Sequence, residues 1–369
     1  MIECKLFCSS SSEHLLQIYA GFSELANRKL IRLHPIRMSG YSGKMIGNSV
    51  LRAEIERRYR VVYDTSDTHH LSHQVDLNEV DFYFKRSYRP EMAMELPQGD
   101  KIHPLGLGYL VYSRHDFLYR RALWSADPRD VVVQLLRANA VLSRLLMIKT
   151  SVFTSEIGRF EGTPKTNPEP LILFITRLWR PERAATAEKA DEREHINSMR
   201  ADCIRLLRKE FGARFVGGLI PTEYAQKYYP DVVLEDARII HKHRYLNLMH
   251  QADICVTTAG LEGSNSWKLA EYVAASKAIV AERLNHFVPG DFKAGKNYLE
   301  FTTAEECAAK VVELYTHPEE RWTMAVRNLN YYYHYLRPDA LIWNSLMTVL
   351  RRNAVTIYDF KHQSLSKFS

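Results

Sequence analysis

The fold of this protein is decided by residues 253–272, DICVTTAGLEGSNSWKLAEY. Its first five residues are predicted to form a buried strand, because the apolar run at 254–256 is typical of a strand covered on both faces of a parallel sheet. Two glycines, Gly260 and Gly263, open the following loop, and a helix is predicted over 266–276. The stretch therefore predicts a strand, a tight loop and a helix that starts at the carboxyl end of the strand.

Strands and helices alternate on both sides of this unit. Strands are predicted at 171–175, 213–216, 238–240 and 278–280, and helices at 192–211, 244–250 and 304–315. Strict alternation implies right-handed crossovers, which build a doubly wound parallel sheet with helices on both faces. We therefore interpret residues 171–330 as one Rossmann-like domain.

The first half of the chain alternates less regularly and is interpreted as a second Rossmann-like domain, residues 1–160. Its predicted strands lie at 30–33, 60–63 and 81–84, and its predicted helices at 14–25, 50–58 and 129–150. Residues 161–170 form the linker, because three prolines and a glycine within ten residues exclude a helix or a central strand. Residues 331–369 are predicted to be a helical segment, kinked at Pro338, that packs back on the N-terminal domain.

Length and composition fit a globular protein of two domains. A chain of 369 residues is too long for one ordinary core, and domains usually contain about 100–200 residues. Its net charge of +7 favours anionic partners, namely phosphorylated donors, nucleic acid or the anionic face of a membrane, without choosing among them. The N-terminus lacks the apolar core of a secretory signal. Five scattered cysteines indicate reduced thiols, so we expect a cytoplasmic protein, with the inner face of the membrane as an alternative location.

The start of the helix in 253–272 is a predicted anion site. With the N-cap at Ser264 or Asn265, the unpaired first-turn amides carry partial positive charge, and small loop residues let a phosphate approach. Lys268 would add a full charge, and Glu271 lies on the same helical face, where it could accept two hydrogen bonds from a ribose diol. The alternative is that the glycines only shape a turn and that the lysine–glutamate pair is a surface ion pair worth under about 1 kcal/mol.

Several stretches in this half of the chain carry a family resemblance. They are FITRL at 174–178, DICV at 253–256, GSN at 263–265, KLAEYVAASKAIV at 268–280, VPG at 288–290 and GKNY at 295–298. In order and spacing they resemble the GT-B glycosyltransferases, specifically the glycosyl transferases group 1 kind. The resemblance implies two Rossmann-like, doubly wound α/β domains that face each other across a cleft, with the nucleotide-sugar donor held by the C-terminal domain.

The resemblance also implies roles for individual residues. Arg177 would clamp the donor diphosphate, the GSN stretch would cradle it, and Glu271 would bind ribose. Arg180 lies near the place of a family lysine that is missing here, and Glu262 lies one residue away from the position of a family glutamate that contacts the sugar. The implied donor-binding residues are Arg177, Arg180, His241, His243, Gly263, Ser264, Asn265, Lys268 and Glu271, where the two histidines fall in the region that lines the nucleobase pocket.

Candidates for a catalytic base follow a predicted strand of the N-terminal half. If the reaction inverts the anomeric centre, a general base is needed on the acceptor side. Residues 63–70, YDTSDTHH, include Asp64, Asp67 and His69 at a strand end, where doubly wound folds bind ligands. Each of these residues could instead cap a turn. The catalytic candidates are therefore Asp67, Asp64 and Glu262. No Asp-x-Asp motif occurs in the chain, so we expect metal-independent chemistry and no cofactor besides the donor.

The sequence as a whole predicts a hexosyltransferase-like glycosyltransferase. It would move a sugar from a nucleotide sugar, with UDP or GDP favoured, to a glycan or other glycoconjugate acceptor, as in polysaccharide biosynthesis. One alternative acceptor is modified DNA, which would suit the basic charge but is not favoured. Another alternative is a non-catalytic nucleotide- or sugar-binding protein of the same fold.

Overall fold

The computed structural model describes residues 1–8, 13–37, 49–115 and 155–350 of the chain. Contacts divide it into two compact units. The N-terminal unit comprises the described residues of 1–158, 287–290 and 331–369, and the C-terminal unit comprises 159–286 and 291–330. The helix predicted over 129–150 lies outside the described residues.

The N-terminal unit is built on a six-stranded sheet of order β2-β1-β3-β4-β5-β6. Its strands are β1 (Ile2–Cys8), β2 (Ile31–Arg37), β3 (Val50–Ile55), β4 (Tyr59–Asp64), β5 (Phe82–Lys85) and β6 (Ile102–Pro104). β3 is antiparallel to both of its neighbours, and the other pairs are parallel. The unit is therefore a mixed variant of the predicted Rossmann-like α/β architecture.

The helix predicted over 50–58 is wrong, because these residues form β3 and a tight turn into β4. Buried Leu51, Ala53 and Ile55 have the spacing of two residues that places them on one face of a strand. In the three-residue turn between Ile55 and Tyr59, Glu56 and Arg57 both have positive φ, 54° and 53°, and the N–H of Arg58 donates to the carbonyl of Ile55 at 3.1 Å. The sequence lacks the usual asparagine or glycine there, so the hairpin signal was weak.

The helices of this unit include residues from both ends of the chain. They are α1 (Leu16–Asn27), α2 (Pro90–Glu95) and the last helix described, Pro338–Val349, whereas α3 (Ile157–Phe160) crosses the boundary at residue 158. The helix Pro338–Val349 packs on α1 at Gly21, where a Cβ atom would collide with the carbonyl of Pro338. A π-helical turn, Tyr332–Leu336, precedes it, so the predicted interruption at Pro338 is confirmed. The shared core contains Leu6, Phe22 and Ile342.

The C-terminal unit contains a five-stranded sheet whose pairs are all parallel, of order β11-β10-β9-β7-β8. The strands are β7 (Ile172–Thr176), β8 (Phe215–Leu219), β9 (Ile254–Thr257), β10 (Ala278–Glu282) and β11 (Leu299–Phe301). The helices are α4 (Ala187–Phe211), α5 (Glu223–Tyr228), α6 (Lys242–Gln251), α7 (Trp267–Ala274), α8 (Ala304–Thr316) and α9 (Pro318–Tyr331); the helix Pro338–Val349 is then α10. The predicted doubly wound parallel sheet is confirmed for this unit.

The strand predicted at 238–240 is wrong, because Ala237–Ile240 form a 3₁₀ turn. The side chain of Asp236 accepts a hydrogen bond from the backbone N–H of Arg238 at 2.9 Å. Such local side-chain caps compete with sheet pairing. An isolated bridge joins Val233, upstream of this turn, to Leu219 at the end of β8.

All five cysteines are buried within the two units. None of the described helices combines the length and the apolar character that crossing a membrane requires.

Candidate functional site

The loop between β9 and α7 forms a tight turn at the carboxyl end of the parallel sheet. Gly260 donates its N–H to the carbonyl of Ser264 at 2.9 Å, and a Cβ atom on Gly260 would lie only 2.5 Å from the Ser264 hydroxyl. Gly263 has a positive φ of 63°, which favours glycine. The N-cap of α7 is Ser266, whose hydroxyl accepts from the N–H of Lys268 at 3.2 Å, so the prediction of Ser264 or Asn265 was slightly early.

A small cavity of about 10 Å³ lies beneath this loop and is lined by Thr257, Ser264, Asn265 and Glu282, among others. This is room for about one water molecule. Asn265 donates from Nδ2 to the carbonyl of His286 at 3.2 Å, whereas its Oδ1 is buried without a partner among the described residues. Buried polar atoms normally have partners, so Asn265 Oδ1 can accept a hydrogen bond from a ligand or water.

Arg200 of α4 joins the loops that follow β7 and β9. Its guanidinium donates to the carbonyl of Arg177 at 2.6 Å, to Thr258 Oγ1 at 2.9 Å and to the carbonyl of Ala259 at 2.8 Å. Burial lowers the pKa of Arg200 to about 10, partly offset by the carboxylate of Glu282, so the side chain stays charged at neutral pH. Two loops of the candidate site are thus held by one buried cation.

Arg200 was missed by sequence reasoning, although its spacing carried a signal. Ile196 and Ile204 lie four residues to either side and are buried, so Arg200 belongs to the buried stripe of α4. A charged residue on such a stripe usually has specific partners.

Arg177 is exposed directly after β7, and its guanidinium lies 4.2 Å from the centre of the Trp179 ring. The backbone of Trp179 is fixed from α4, since its N–H donates to Asn197 Oδ1 at 2.9 Å and its carbonyl accepts from Asn197 Nδ2 at 2.7 Å. The cation–π contact with Trp179 restricts the position of the Arg177 guanidinium, which stays exposed and so can contact a ligand.

Glu271 is buried in α7 with 6% of its surface exposed. Its carboxylate accepts from Lys242 Nζ at 2.7 Å and from the Tyr245 hydroxyl at 2.8 Å. Burial raises the pKa of Glu271, but the charges of Lys242 and Lys268 and these hydrogen bonds outweigh burial, and the net pKa lies below its ordinary value. The carboxylate is therefore ionised, and its ion-pair partner is Lys242 rather than the Lys268 of the surface-pair alternative.

Lys268 packs its ammonium group 3.9 Å from the centre of the Tyr245 ring. Burial lowers its pKa to about 8, and the charge of Glu271 opposes this shift. Near neutral pH the amine is therefore mostly charged, but it loses that charge in mildly alkaline solution.

His241 and His243 are both exposed at the start of α6, with nearly parallel rings 6.4 Å apart. The guanidinium of Arg180 donates a hydrogen bond to the Glu223 carboxylate at 2.9 Å, and the backbone carbonyl of Arg180 accepts one from the Arg193 guanidinium at 2.7 Å. Arg180 therefore already has an anionic partner, but a weak one, because the Glu223 side chain is 86% exposed.

Glu262 is tied to α4. It has a positive φ of 59°, its N–H donates to the Glu192 carboxylate at 2.6 Å, and its own carboxylate pairs with Lys189 at 2.7 Å. A contact of Glu262 with the donor sugar stays a prediction, and it would require exchange of the Lys189 partner.

Asp64, at the end of β4, lies below the surface of the N-terminal unit. Its side chain is fully buried and accepts from the Tyr83 hydroxyl at 2.5 Å, from Lys85 Nζ at 2.8 Å and from Ser66. Burial lowers the pKa of Lys85, and Asp64 opposes that shift. Asp64 was predicted as a catalytic candidate; the geometry instead gives it a positioning role, because no surface remains for a substrate.

Asp67 is more accessible, with 44% of its side chain exposed. It accepts from Arg86 Nη2 at 2.9 Å, and the same nitrogen lies 3.3 Å from Nδ1 of His14. Burial and the charge of Arg86 lower the pKa of His14, so its imidazole is neutral near pH 7. Asp67 remains the catalytic candidate of this unit, and His14, near the start of α1, is an additional polar group that sequence reasoning missed.

Among the residues that the structure describes, no three His, Cys, Asp or Glu side chains are grouped as metal ligands would be. Metal independence stays a prediction.

Residues 184–335 match the family model described as Glycosyl transferase-like. The chain carries a glycosyl transferase-like domain. The match covers α4 to α9 and includes Glu271, Arg200 and the loop after β9. The predicted resemblance to group 1 glycosyltransferases is thereby confirmed at the level of the family, whereas most of the N-terminal unit lies outside the match.

Several solved structures show weak similarity to this chain. The C-terminal domain of the group 1 glycosyl transferase LpcC from Francisella tularensis is 15% identical, over 48% of this chain and 95% of that one, with a TM-score of 0.32. HepE of Anabaena, in complex with UDP and glucose, is 12% identical over 93% and 96%, with a TM-score of 0.35. The pneumococcal O-GlcNAc transferase GtfA, in complex with UDP and GlcNAc, is 13% identical over 78% and 50%, with a TM-score of 0.37. Similarity at this level establishes neither substrate nor mechanism. No curated protein matches the chain.

Proposed function

We propose that this protein transfers a sugar from a UDP- or GDP-sugar to a glycan or other glycoconjugate acceptor, without a metal ion. One observation carries the proposal. The partly exposed N-terminus of α7 follows a glycine loop at the carboxyl end of β9, inside the matched domain, with an ionised glutamate one turn further on. The carboxyl end of a parallel sheet is where doubly wound folds bind ligands.

The diphosphate would lie against the first amides of α7. The N–H groups of Lys268 and Leu269 already donate to the hydroxyl and the carbonyl of Ser266, so the main attraction for an anion at this terminus is the positive end of the helix dipole. Arg177 and Lys268 supply two further positive charges near the strand ends, and a charged donor shortens and strengthens a hydrogen bond to phosphate. Stabilising the departing diphosphate in this way is the main catalytic need of glycosyl transfer.

The ribose would be bound by Glu271. Each oxygen of an ionised carboxylate can accept more than one hydrogen bond, so Lys242 and Tyr245 leave acceptor capacity for a diol. These two partners also fix the orientation of the carboxylate before the donor arrives, which reduces the entropy lost on binding.

Asp67 is the proposed base on the acceptor side. Its partial exposure allows contact with a hydroxyl group, and the neighbouring Arg86 orients the carboxylate. His14, whose imidazole is neutral near pH 7, contacts the same nitrogen of Arg86, and we assign the role of base to Asp67 because 44% of its side chain is exposed.

A thermal-shift panel of UDP, GDP, ADP, CMP and dTDP with their sugar conjugates tests the donor site. We expect one nucleotide family to raise the melting temperature, and Glu271→Ala and Arg177→Ala each to abolish that shift while the proteins remain folded. Glu320→Ala, an exposed glutamate of α9, is the matched control and should respond as the wild type does. Unchanged nucleotide responses in both site variants would place the donor elsewhere.

A non-catalytic nucleotide-sugar-binding protein is the second candidate, because Glu262 is paired with Lys189 instead of being free for a sugar. Incubation of the stabilising nucleotide sugar with an acceptor panel distinguishes the two functions. Binding without any release of the nucleoside diphosphate would favour the second candidate.

A further inference from the structure

A cavity of about 410 Å³ lies in the N-terminal unit, apart from the residues discussed above. It is open to solvent on one side and is lined by the ends of β5 and β6, the 287–290 segment, the π-helical turn and α10. Its wall includes Phe84, His103, Leu105, Pro289, Tyr335 and Met347. This volume falls within the 300–1,000 Å³ range that is usual for small-molecule sites.

The wall on the helical side depends on an irregular feature of the backbone. The N–H of Arg337 bonds the carbonyl of Tyr332 at 2.7 Å, which makes a π-helical turn. Asn344 of α10 donates to the carbonyl of His334 at 2.7 Å and so supports the turn. π-helical turns are rare in proteins, and those that occur often lie at functional sites.

This turn places Tyr335 over the 287–290 segment. Its ring stacks on Tyr331 at 5.2 Å and lies where a Cβ atom on Gly290 would be 2.8 Å away. Gly290 has a positive φ of 79°. The aromatic wall is therefore built by tight, specific packing, and Tyr335 still keeps 37% of its surface exposed.

His103 is the polar group of the strand side. Its ring lies between Phe82 and Phe84, with centroid distances of 5.5 and 5.6 Å, and no side-chain hydrogen bond of His103 occurs among the described residues. Burial lowers its pKa, and Asp100 partly opposes the shift, so the imidazole is neutral near pH 7. A neutral imidazole offers one donor and one acceptor.

We infer that this cavity binds the apolar part of the acceptor, a group on the order of ten carbons, with His103 hydrogen-bonding to a polar atom next to it. A water molecule occupies about 30 Å³ in the liquid, and a methylene group is of similar size, so the cavity suits on the order of ten such groups. Its wall is apolar over most of its area and also carries the polar side chains of His103, Asn344, Ser345 and Thr348, which favours an amphipathic ligand over a free sugar.

The position of the cavity connects it with an acceptor. Phe84 and Leu105 lie at the carboxyl ends of parallel β5 and β6, the edge of the sheet that also carries Asp67 and Arg86. Assignment of the ligand as an acceptor rests on the proposed function, whereas binding of an apolar group in the cavity does not.

Calorimetric titration of the full chain tests the inference. The probes are octyl β-D-glucopyranoside, kept below its micelle concentration, and methyl β-D-glucopyranoside, which lacks the alkyl chain. We expect measurable binding of the octyl glucoside and none of the methyl glucoside. Equal binding of both probes, or no binding of either, would overturn the inference.

Variants locate the binding. Thr348 lines the cavity and is exposed, so Thr348→Trp should close it without disturbing the core and should weaken octyl glucoside binding at least tenfold. Thr323→Trp makes the same change at an exposed position of α9 and should leave binding unchanged. His103→Phe keeps a flat ring without hydrogen-bonding groups and should weaken binding roughly fivefold. Wild-type affinity in Thr348→Trp would refute the site; if that variant does not fold, Tyr335→Ala replaces it with the same expectation.

Failure of this inference and failure of the proposed function give different results. Thermal shift with the stabilising nucleotide, measured on Thr348→Trp, should match the wild type. Nucleotide binding without octyl glucoside binding overturns only the cavity assignment, and the reverse result overturns only the donor site.

Discussion

The two units hold polar groups at the carboxyl ends of their parallel strands in different ways. In the N-terminal unit, buried charged side chains pair with each other, as Asp64 does with Lys85. In the C-terminal unit, the buried Arg200 binds backbone carbonyls of two loops instead of a carboxylate. The first arrangement positions side chains, whereas the second fixes the course of the backbone, which suits a site built from loop amides.

Asp64→Asn should produce the largest effect, because it leaves the charge of Lys85 buried without an ionised partner. Breaking one side of a buried pair costs about 3–5 kcal/mol, and we expect a loss of that size in the free energy of unfolding from urea titration. Glu54→Gln removes a half-exposed partner of Lys5 in the same sheet and should cost less than about 1 kcal/mol. The double variant Asp64→Asn with Lys85→Met should recover part of the loss. Similar stability of Asp64→Asn and Glu54→Gln would show that the pair contributes little.

Arg200→Met should produce the next largest effect. Unlike Asp64→Asn, it should affect nucleotide binding as well as stability. It leaves two loop carbonyls without their donor, and we expect a loss of about 2–4 kcal/mol in unfolding free energy together with loss of the nucleotide-induced thermal shift. Arg205→Met on the same helix removes only exposed ion pairs and should cost less than about 1 kcal/mol with normal nucleotide binding. If Arg200→Met binds nucleotide as the wild type does, the loops do not need this residue for the site.

Lys268 should give the smallest effect, visible as a pH dependence. With a pKa of about 8, its amine is charged below that pH and neutral above it, so nucleoside diphosphate affinity should fall as pH rises from 7 to 9. Loss of one charge-assisted hydrogen bond corresponds to roughly tenfold, or about 1.4 kcal/mol. Lys268→Arg keeps its charge throughout this range and should show a flatter profile in calorimetric titration. Parallel profiles would mean that the amine does not contact the diphosphate.

The C-terminal unit could be read from sequence because its features are local. The apolar run of β9, the glycines of the following loop and the periodicity of α7 each occupy a few consecutive residues. The N-cap was misplaced by one or two positions, since several polar residues in that loop are equally good caps by type. The failure at 238–240 has a similar origin, because a single capping aspartate decided between a strand and a turn.

The candidate site was only partly predictable. Glu271 and Arg177 were recognised from motif position, but their contacts with Lys242 and Trp179 were not. Asp64 and Asp67 looked equivalent in the sequence, and the structure separates them by burial. Which of the two side chains is buried depends on how β4 pairs with its neighbouring strands. These partners are distant in the sequence, so local patterns do not identify them.

By itself, the sequence determined the alternation of strands and helices in the C-terminal unit, the glycine loop before α7 and the family of the matched domain. Only the tertiary structure decided that β3 is an antiparallel strand, that Arg200 joins two loops and that α10 lines a cavity together with β5 and β6. The physical reason is range. Periodicity and turn chemistry act over a few residues, whereas burial, charge pairing and cavities arise from segments that are distant in the chain.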